Sequence, residues 1–356
     1  MSQISVDAIT DASGGTTASI NGYTPSGSNM VGRNRIINGS MMIDQRNAGA
    51  SVTPTNGQFS VDRWKSRLSV TSKYSVQQSS TAPTGFNNSL LITSLSAYTV
   101  GASELFVQEQ VIEGFNVSDL GWGTANAKTV TLSFWVRSSL TGTFGGSFSN
   151  SARNRSYPFS YAINSADTWE QKTITVAGDT TGTWLTDSGK GIEVCFSLGS
   201  GATYSGTAGS WAGADYRSAT GATSVVGTSG ATFYLTGVQL EVGSSASEFE
   251  HRQYGQELAL CQRYYWKSDY VSDSLGIAGY NSAGNGSWMN YSHVVQMRTA
   301  PTMAINGTWA VGNAAQPTIR AASATHWVLQ AVPSSTAAFA TYVNSSDDYV
   351  TASAEL

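Results

Sequence analysis

Alternation of apolar and polar residues with a period of two is the dominant pattern along this chain. In residues 129–137, Val130, Leu132, Phe134 and Val136 share one phase, while Thr131, Ser133, Trp135 and Arg137 share the other. Successive side chains of a strand project to opposite faces, so the first set is predicted to point into a core and the second away from it. Ile192, Val194, Phe196 and Leu198 repeat the pattern, and Leu68, Val70, Tyr74 and Val76 alternate with Ser69, Thr71, Lys73 and Ser75. In residues 231–242 the phase changes: Ala231, Phe233 and Leu235 lie on one, Val238, Leu240 and Val242 on the other. The change falls at Gly237, and a one-residue slip at a glycine predicts a β-bulge there.

A period near 3.6 occurs in one place, residues 255–266, where Leu258, Cys261 and Tyr265 recur at i, i+3 and i+7. Glu257 near the start and Arg263 near the end suit the dipole of one short helix. Elsewhere strand-like runs separated by turn clusters predict an all-β protein, with an antiparallel β-sandwich or jelly roll in residues 32–250. The helix then serves as a linker in residues 251–267. Residues 268–356 return to short runs such as Met303 to Ile305, punctuated by Pro301, Pro317 and Pro333, and read as a smaller C-terminal β domain. In residues 1–31 isolated apolar positions (Ile4, Val6, Ile9, Ile20, Met30) are too sparse to build a core. Such an extended arm is either a disordered tail or a strand completed by a neighbouring chain, and the spacing favours the second, as an attachment and trimerisation arm.

Composition narrows the function. With 356 residues, two globular units are expected. Charged residues are only 12% of the chain and glycine numbers 37, which suits strands joined by many turns. The 40% hydrophobic share supplies enough apolar surface to offset chain entropy, so the whole is expected to fold. A net charge of −4 argues against nucleic acid as a partner. No run approaches the ~18 to 20 apolar residues of a membrane span, and the first residues lack a signal-peptide profile, so synthesis and folding are expected in a cytoplasm. Cys195 and Cys261 are too far apart for a metal-binding pair and are expected to be small core residues.

Three motifs carry a resemblance: GRNRIINGSMMIDQRNAG followed by FSVDRW in residues 32–64, TVTLSFWVRSSLTGT in residues 129–143, and FYLTGVQLEVGSSASEFEHRQYGQELALCQRYYWK in residues 233–267. Together they resemble a recurring type of bacteriophage tail protein with a jelly-roll domain similar to carbohydrate-binding modules. The stretch ISVDAITDASGG near the start resembles the anchoring arm of phage fibres, and RTAPT with the closing YVTASAEL gives a looser match in the last ninety or so residues. The resemblance implies a structural, non-enzymatic virion protein, a homotrimeric tail fibre made in the host cytoplasm. Its implied partners are other virion proteins, met through the arm, and a host surface polysaccharide or receptor. An adaptor or capsid-attached fibre with an assembly role, and a polysaccharide depolymerase, are the alternatives.

Sugar recognition needs an aromatic ring to stack on the apolar sugar face, with amides or carboxylates for its hydroxyls. Three segments supply both. Trp211, Asp215, Tyr216 and Arg217 fall on an expected exposed loop, Trp122 lies close to Asn126, and residues 279–291 hold Tyr280, Asn281, Asn285, Trp288, Asn290 and Tyr291. Packing between subunits explains the same aromatics equally well, since Trp and Tyr are also enriched at interfaces. Trp64, Trp135 and Trp169 lie in strand-like runs and are assigned to packing.

For depolymerase chemistry two carboxylates at fixed spacing are required. Glu109 and Glu113 share a strand face by parity, a face expected to be solvated, alongside Glu104 and Asp119 nearby. His251, His293 and His326 are scattered and form no zinc motif. No bound cofactor is required. The resemblance adds a structural calcium, for which Asp44 and Glu241 are the acidic residues inside the matching motifs; otherwise Asp44 caps a turn and Glu241 pairs with an arginine such as Arg46 or Arg63.

Overall fold

The computed structural model describes residues 32–268 and 275–356, so the expected arm in residues 1–31 lies outside the described residues. The first body contains strands β1 (Phe59–Val61), β2 (Trp64–Leu68), β3 (Tyr74–Ser79), β4 (Ser89–Ser94), β5 (Leu105–Glu113) and β6 (Val130–Ser138). They are followed by β7 (Gly142–Ser149), β8 (Ser156–Ile163), β9 (Glu170–Val176), β10 (Lys190–Ser200), the two-residue β11 (Ser205–Gly206) and β12 (Ser218–Ala219), and β13 (Thr232–Val242). Apart from β11 and β12, which pair with each other in parallel, they form a six-stranded sheet ordered β1-β2-β5-β10-β7-β8 facing a five-stranded sheet ordered β3-β4-β13-β6-β9, an antiparallel jelly-roll sandwich.

The core between the sheets is built from the apolar phases read in the sequence. Val130, Leu132, Phe134 and Val136 meet Ile192, Val194, Phe196 and Leu198, all buried. Phe134 is edge-on to both Tyr161 and Phe196, with ring centroids 5.0 Å apart in each case, a favoured aromatic geometry. Two readings fail: Val242 is exposed at the end of its strand, and the run from Leu68 to Val76 is not one strand, since β2 ends at Leu68, β3 begins at Tyr74 in the other sheet, and Val70 is half-buried in the turn between them.

The bulge is present at Gly237: β13 changes register against β6 between Thr236 and Gln239, and Gly237 has φ +59°. The slip also receives the chain leading into the sandwich. Val238 N–H donates to the Gly39 carbonyl, Arg35 N–H to that of Leu240, and a Cβ at Gly39 would collide with the Val238 carbonyl oxygen. Next to it, Asn38 is buried and donates its amide to the Ile43 and Asp62 carbonyls, while Trp64 Nε1–H donates to the Asn38 carbonyl. The INGS segment is thus a plug fitted to the bulge, and two distant sequence motifs are one contact.

The helix α1 (Tyr254–Gln262) forms, but ends four residues before the periodicity predicts. Beyond it β14 (Tyr265–Lys267) is strand, because it pairs with a segment almost ninety residues later. Tyr264, not Tyr265, is the fully buried tyrosine; with Leu258 and Cys261 it packs on Ile37 and Ile43 of the sandwich. Both cysteines are buried and free, and burial pushes both thiols up.

The second body holds β15 (Gly276–Asn281), β16 (Ser287–Ser292), β17 (Thr302–Asn306), β18 (Ala310–Gly312), β19 (Thr318–Ala322), β20 (His326–Ala331), β21 (Ala337–Tyr342) and β22 (Tyr349–Ser353). They make three three-stranded sheets, β14-β22-β17, β15-β21-β18 and β16-β20-β19, around Trp309, Trp327, Leu329 and Phe339. After β22 the chain returns to the sandwich. Glu355 is bound by Arg46, at 3.0 Å, and by Arg63, while Lys65 Nζ donates to the Leu356 carbonyl at 3.0 Å. Arg298 ties the same segment down, donating to the Ala354 and Glu355 carbonyls and to Ser188 of the sandwich. Among the described residues no helix is long and apolar enough to cross a membrane.

The bulge has a measurable cost if filled. A Cβ at Gly237 would sit 2.7 Å from the Phe86 ring and 3.0 Å from Trp135, whereas Gly284, with φ +76°, has nothing within 4 Å. Gly237→Ala should therefore lose about 2–4 kcal/mol by urea unfolding, against about 1 kcal/mol for Gly284→Ala, the difference being steric contact rather than backbone conformation.

Candidate functional site

The outward face of the six-stranded sheet is the first surface to consider, since its centre carries the expected carboxylates. Cross-strand register aligns Lys65, Glu109, Cys195 and Ser147 in one row, with Glu193 opposite Val111 and Ser149 in the next. This face is not solvated as the sequence suggests: Glu109 and Glu193 are buried completely. Residues 201–219 lie across it. Ser147 Oγ–H donates to the Tyr216 carbonyl, Ser156 Oγ–H to that of Ala214, and Arg217 N–H to that of Tyr204. Arg217, expected on an exposed loop, is fully buried because its guanidinium meets Glu193 at 2.9 Å and also pairs with Asp215. Asp215 remains partly exposed, and Tyr216 packs its ring against Gly206, where a Cβ would collide with it.

Glu113 is likewise consumed. It accepts two hydrogen bonds from Arg263, at 3.0 and 2.6 Å, and one from the Tyr264 hydroxyl at 2.7 Å. Three cationic groups surround Glu193, which is held well below the usual carboxylate range by Arg153, Arg217 and Lys190 despite its burial. Neither Glu109 nor Glu113 is placed to reach a polysaccharide.

Trp122 is also buried, contrary to the loop reading, because it is the hub of a three-tryptophan cluster. Its ring centroid lies 4.8 Å from Trp184 and 5.3 Å from Trp211, edge-on to both, and its Nε1–H donates to the Lys128 carbonyl. Trp211 is half-buried, donates Nε1–H to the Ala177 carbonyl and is capped by the Arg155 guanidinium. Asn126 stays exposed beside this cluster. The cluster is a packed end of the sandwich, and Trp184, which completes it, carried no local signal apart from its own ring.

In the second body several of the expected residues are exposed. Tyr280 is 74% exposed on β15 and Trp288 is 56% exposed on β16, with Arg320 of β19 stacked 4.1 Å from the Trp288 ring. Asn290 follows Trp288 on the same strand face, and the Asn281 amide donates to the Asn285 carbonyl and Ser287 hydroxyl, bracing the turn between the strands. Tyr291 is structural: it stacks on Trp327 at 4.6 Å and its hydroxyl bridges the Gly276 carbonyl and N–H. Arg320 is the member of this surface that the sequence reading missed, because the pairing of β19 with β20 brings it across from outside the aromatic segment.

Asp44 and Glu241 do not fit a calcium site. Asp44 accepts from the N–H groups of Asn47 and Gly49, capping a turn. Glu241 accepts from Gln239 and from the N–H and hydroxyl of Ser247, and its nearest cation is Arg33 at 4.0 Å rather than Arg46 or Arg63. Among the described residues no three His, Cys, Asp or Glu side chains gather as a metal would need.

No family profile and no curated protein matches the sequence. Solved structures similar to this chain include the enzymatically active domain of tailspike protein 4 from bacteriophage CBA120, at 13% identity and a TM-score of 0.33 over 59% of this chain and 21% of that one. Another is the family 11 carbohydrate-binding module of a cellulosomal cellulase from Clostridium thermocellum, at 12% identity and a TM-score of 0.28, covering 58% of this chain and all of the module. A third is a module solved with β-1,4-galactotriose, at 12% identity and a TM-score of 0.28 over 52% of this chain and 92% of its own length.

Two outcomes test the electrostatics. Removing one partner of the buried pair, as in Glu193→Gln or Arg217→Met, should cost about 3–5 kcal/mol in urea unfolding, and the double substitution Glu193→Met with Arg217→Met should recover a large part of it. Asp62 behaves differently: burial outweighs the neighbouring Arg46 guanidinium and pushes it up to about 6. An acid raised in the folded state contributes stability below its unfolded value, and that contribution is lost as pH rises through the folded one. Unfolding from pH 3.5 to 7.5 should show the difference between the protein and its Asp62→Asn variant shifting by up to about 3 kcal/mol between pH 4 and 6, then levelling.

Proposed function

We propose that this chain is a non-enzymatic structural protein of a bacteriophage particle, a homotrimeric tail fibre that binds glycan or another receptor on the host surface. In this reading residues 1–31 attach it to other virion proteins, residues 32–250 form the scaffold, residues 251–267 link, and residues 268–356 carry the recognition surface. The observation that carries recognition is the outward display of Tyr280 and Trp288, the latter held flat by Arg320, beside Asn281, Asn285 and Asn290. Large rings left in solvent next to amides are matched to a sugar, whose apolar face stacks and whose hydroxyls need donors and acceptors. The phage assignment rests on the three sequence motifs. The non-enzymatic reading is supported by Glu109 and Glu113, whose ion pairs leave neither free for acid–base work. No bound cofactor is needed for such binding, and three linked copies would convert weak sites into firm adhesion.

A second reading, assembly rather than adhesion, is favoured by one feature. A groove of about 550 Å³ beside the same strands is lined by Ile277, Ala278, Met289, Ala340 and Tyr342, the kind of apolar surface that subunits cover.

Purified protein incubated with a panel of bacterial cells and their envelope polysaccharides should bind at least one, and Tyr280→Ala and Trp288→Ala should each weaken that binding roughly tenfold or more. The fold should be unchanged, since both rings are exposed. Tight binding to another virion protein, together with indifference to every cell and polysaccharide, would favour assembly. New reducing ends in the polysaccharide would overturn the non-enzymatic reading.

A further inference from the structure

The outward face of the six-stranded sheet holds more positive charge than its own carboxylates can absorb. Glu109 is approached by Lys65 at 3.0 Å, Arg67 at 3.8 Å and Arg153 at 4.0 Å. Glu193 is approached by Arg153 at 2.9 Å, Lys190 at 3.3 Å and Arg217 at 2.9 Å. With Asp215 on Arg217, five cations share three carboxylates. Those five are drawn from only 19 lysines and arginines in a chain whose net charge is −4.

The excess is not distributed evenly. Arg217, the innermost cation, is sealed between Glu193 and Asp215, while both central carboxylates are fully buried. The outer cations are partly open to solvent: Lys190 by 30%, Arg153 by 26% and Arg67 by 19% of the side chain. Arg67 Nη1 is buried with no hydrogen-bond partner, its nearest carboxylate oxygen being too far for one. Lys190 is held below the ordinary lysine range by burial and by the repulsion of Lys65 and Arg153, against the pull of Glu193. Like charges gathered at a partly dry surface are relieved by an anion.

We propose that Arg67, Arg153 and Lys190 form an anion-recognition rim for the carboxylate or phosphate groups of an acidic surface polysaccharide. This deepens the glycan-binding reading and rests on it: the aromatic surface of the second body would grip sugar rings, and the rim would select chains that carry charge. Guanidinium forks and an ammonium on one rim suit both planar carboxylates and phosphodiesters.

The test uses the full chain in calorimetry with three hexameric probes: a hexagalacturonate, a glycerol-phosphate hexamer and a neutral galactan hexamer. One or both acidic probes should bind about tenfold or more tightly than the neutral one at low salt, with the advantage shrinking as salt rises. Which acidic probe binds better identifies carboxylate or phosphate as the group read. Lys190→Gln and Arg67→Gln should each reduce that advantage severalfold, while Lys128→Gln, an exposed lysine elsewhere, should not. Because Arg67 contacts a buried carboxylate, acetylation of Lys190 in the unaltered protein provides an independent readout, and the preferred acidic probe should slow it. Equal affinity for acidic and neutral probes, or unprotected Lys190, would overturn the rim while leaving tip-dependent sugar binding intact. Absence of binding to every probe would overturn the rim, and only if the panel of cells and polysaccharides also went unbound would the glycan reading fall with it; an oligodeoxynucleotide bound as tightly as the acidic probes would overturn a glycan as the occupant.

Discussion

A sheet with charge on one face and a core on the other must be covered on both, and this constraint organises the molecule. Glu109 and Glu193 sit at the centre of the six-stranded sheet, pointing away from the core, yet neither touches water. Ions so placed are tolerated only when paired and hydrogen-bonded. The segment 201–219 supplies Arg217 from above, neighbouring strands and turns supply Lys65, Arg67 and Arg153, and the closing residues of the chain cover the adjoining end. What would otherwise be an open sheet face is thereby a third layer, made of the protein's own loops.

That layer explains what was legible in the sequence and what was not. Runs such as Val130 to Val136 are governed by their nearest neighbours and the pleat, so parity alone identified their inward side. The bulge was legible for the same reason, since Gly237 marks a change of phase within one strand. Partners far along the chain leave no such trace. α1 ends earlier than its helical spacing predicts because β14 is drawn into strand by β22, a pairing that outweighs local periodicity.

The candidate site divides along the same line. Tyr280 and Trp288 lie on consecutive strands that belong to different sheets, β15 and β16, and both rings are exposed, as expected. Arg217 and Trp122 stand in segments of similar composition but are buried, one by Glu193 of β10, the other by Trp184 and Trp211. Glycine-rich surroundings therefore signal a turn and say little about whether an aromatic or charged side chain beside it faces water.

The contact between Arg63 and Glu355 joins residues 292 positions apart, and Arg46 reaches the same carboxylate. As the chain leaves the ribosome, the lead-in, the bulge and most of the sandwich emerge long before that carboxylate exists. Until it arrives, Arg46 has Asp62 as its carboxylate partner and Arg63 lacks one, so the sandwich waits on a contact from outside its own strands. Maturation should accordingly be slow and late, as expected where decisive contacts are distant in sequence. A chain truncated upstream of Glu355 would leave Arg63 without its carboxylate and Arg46 with Asp62 alone.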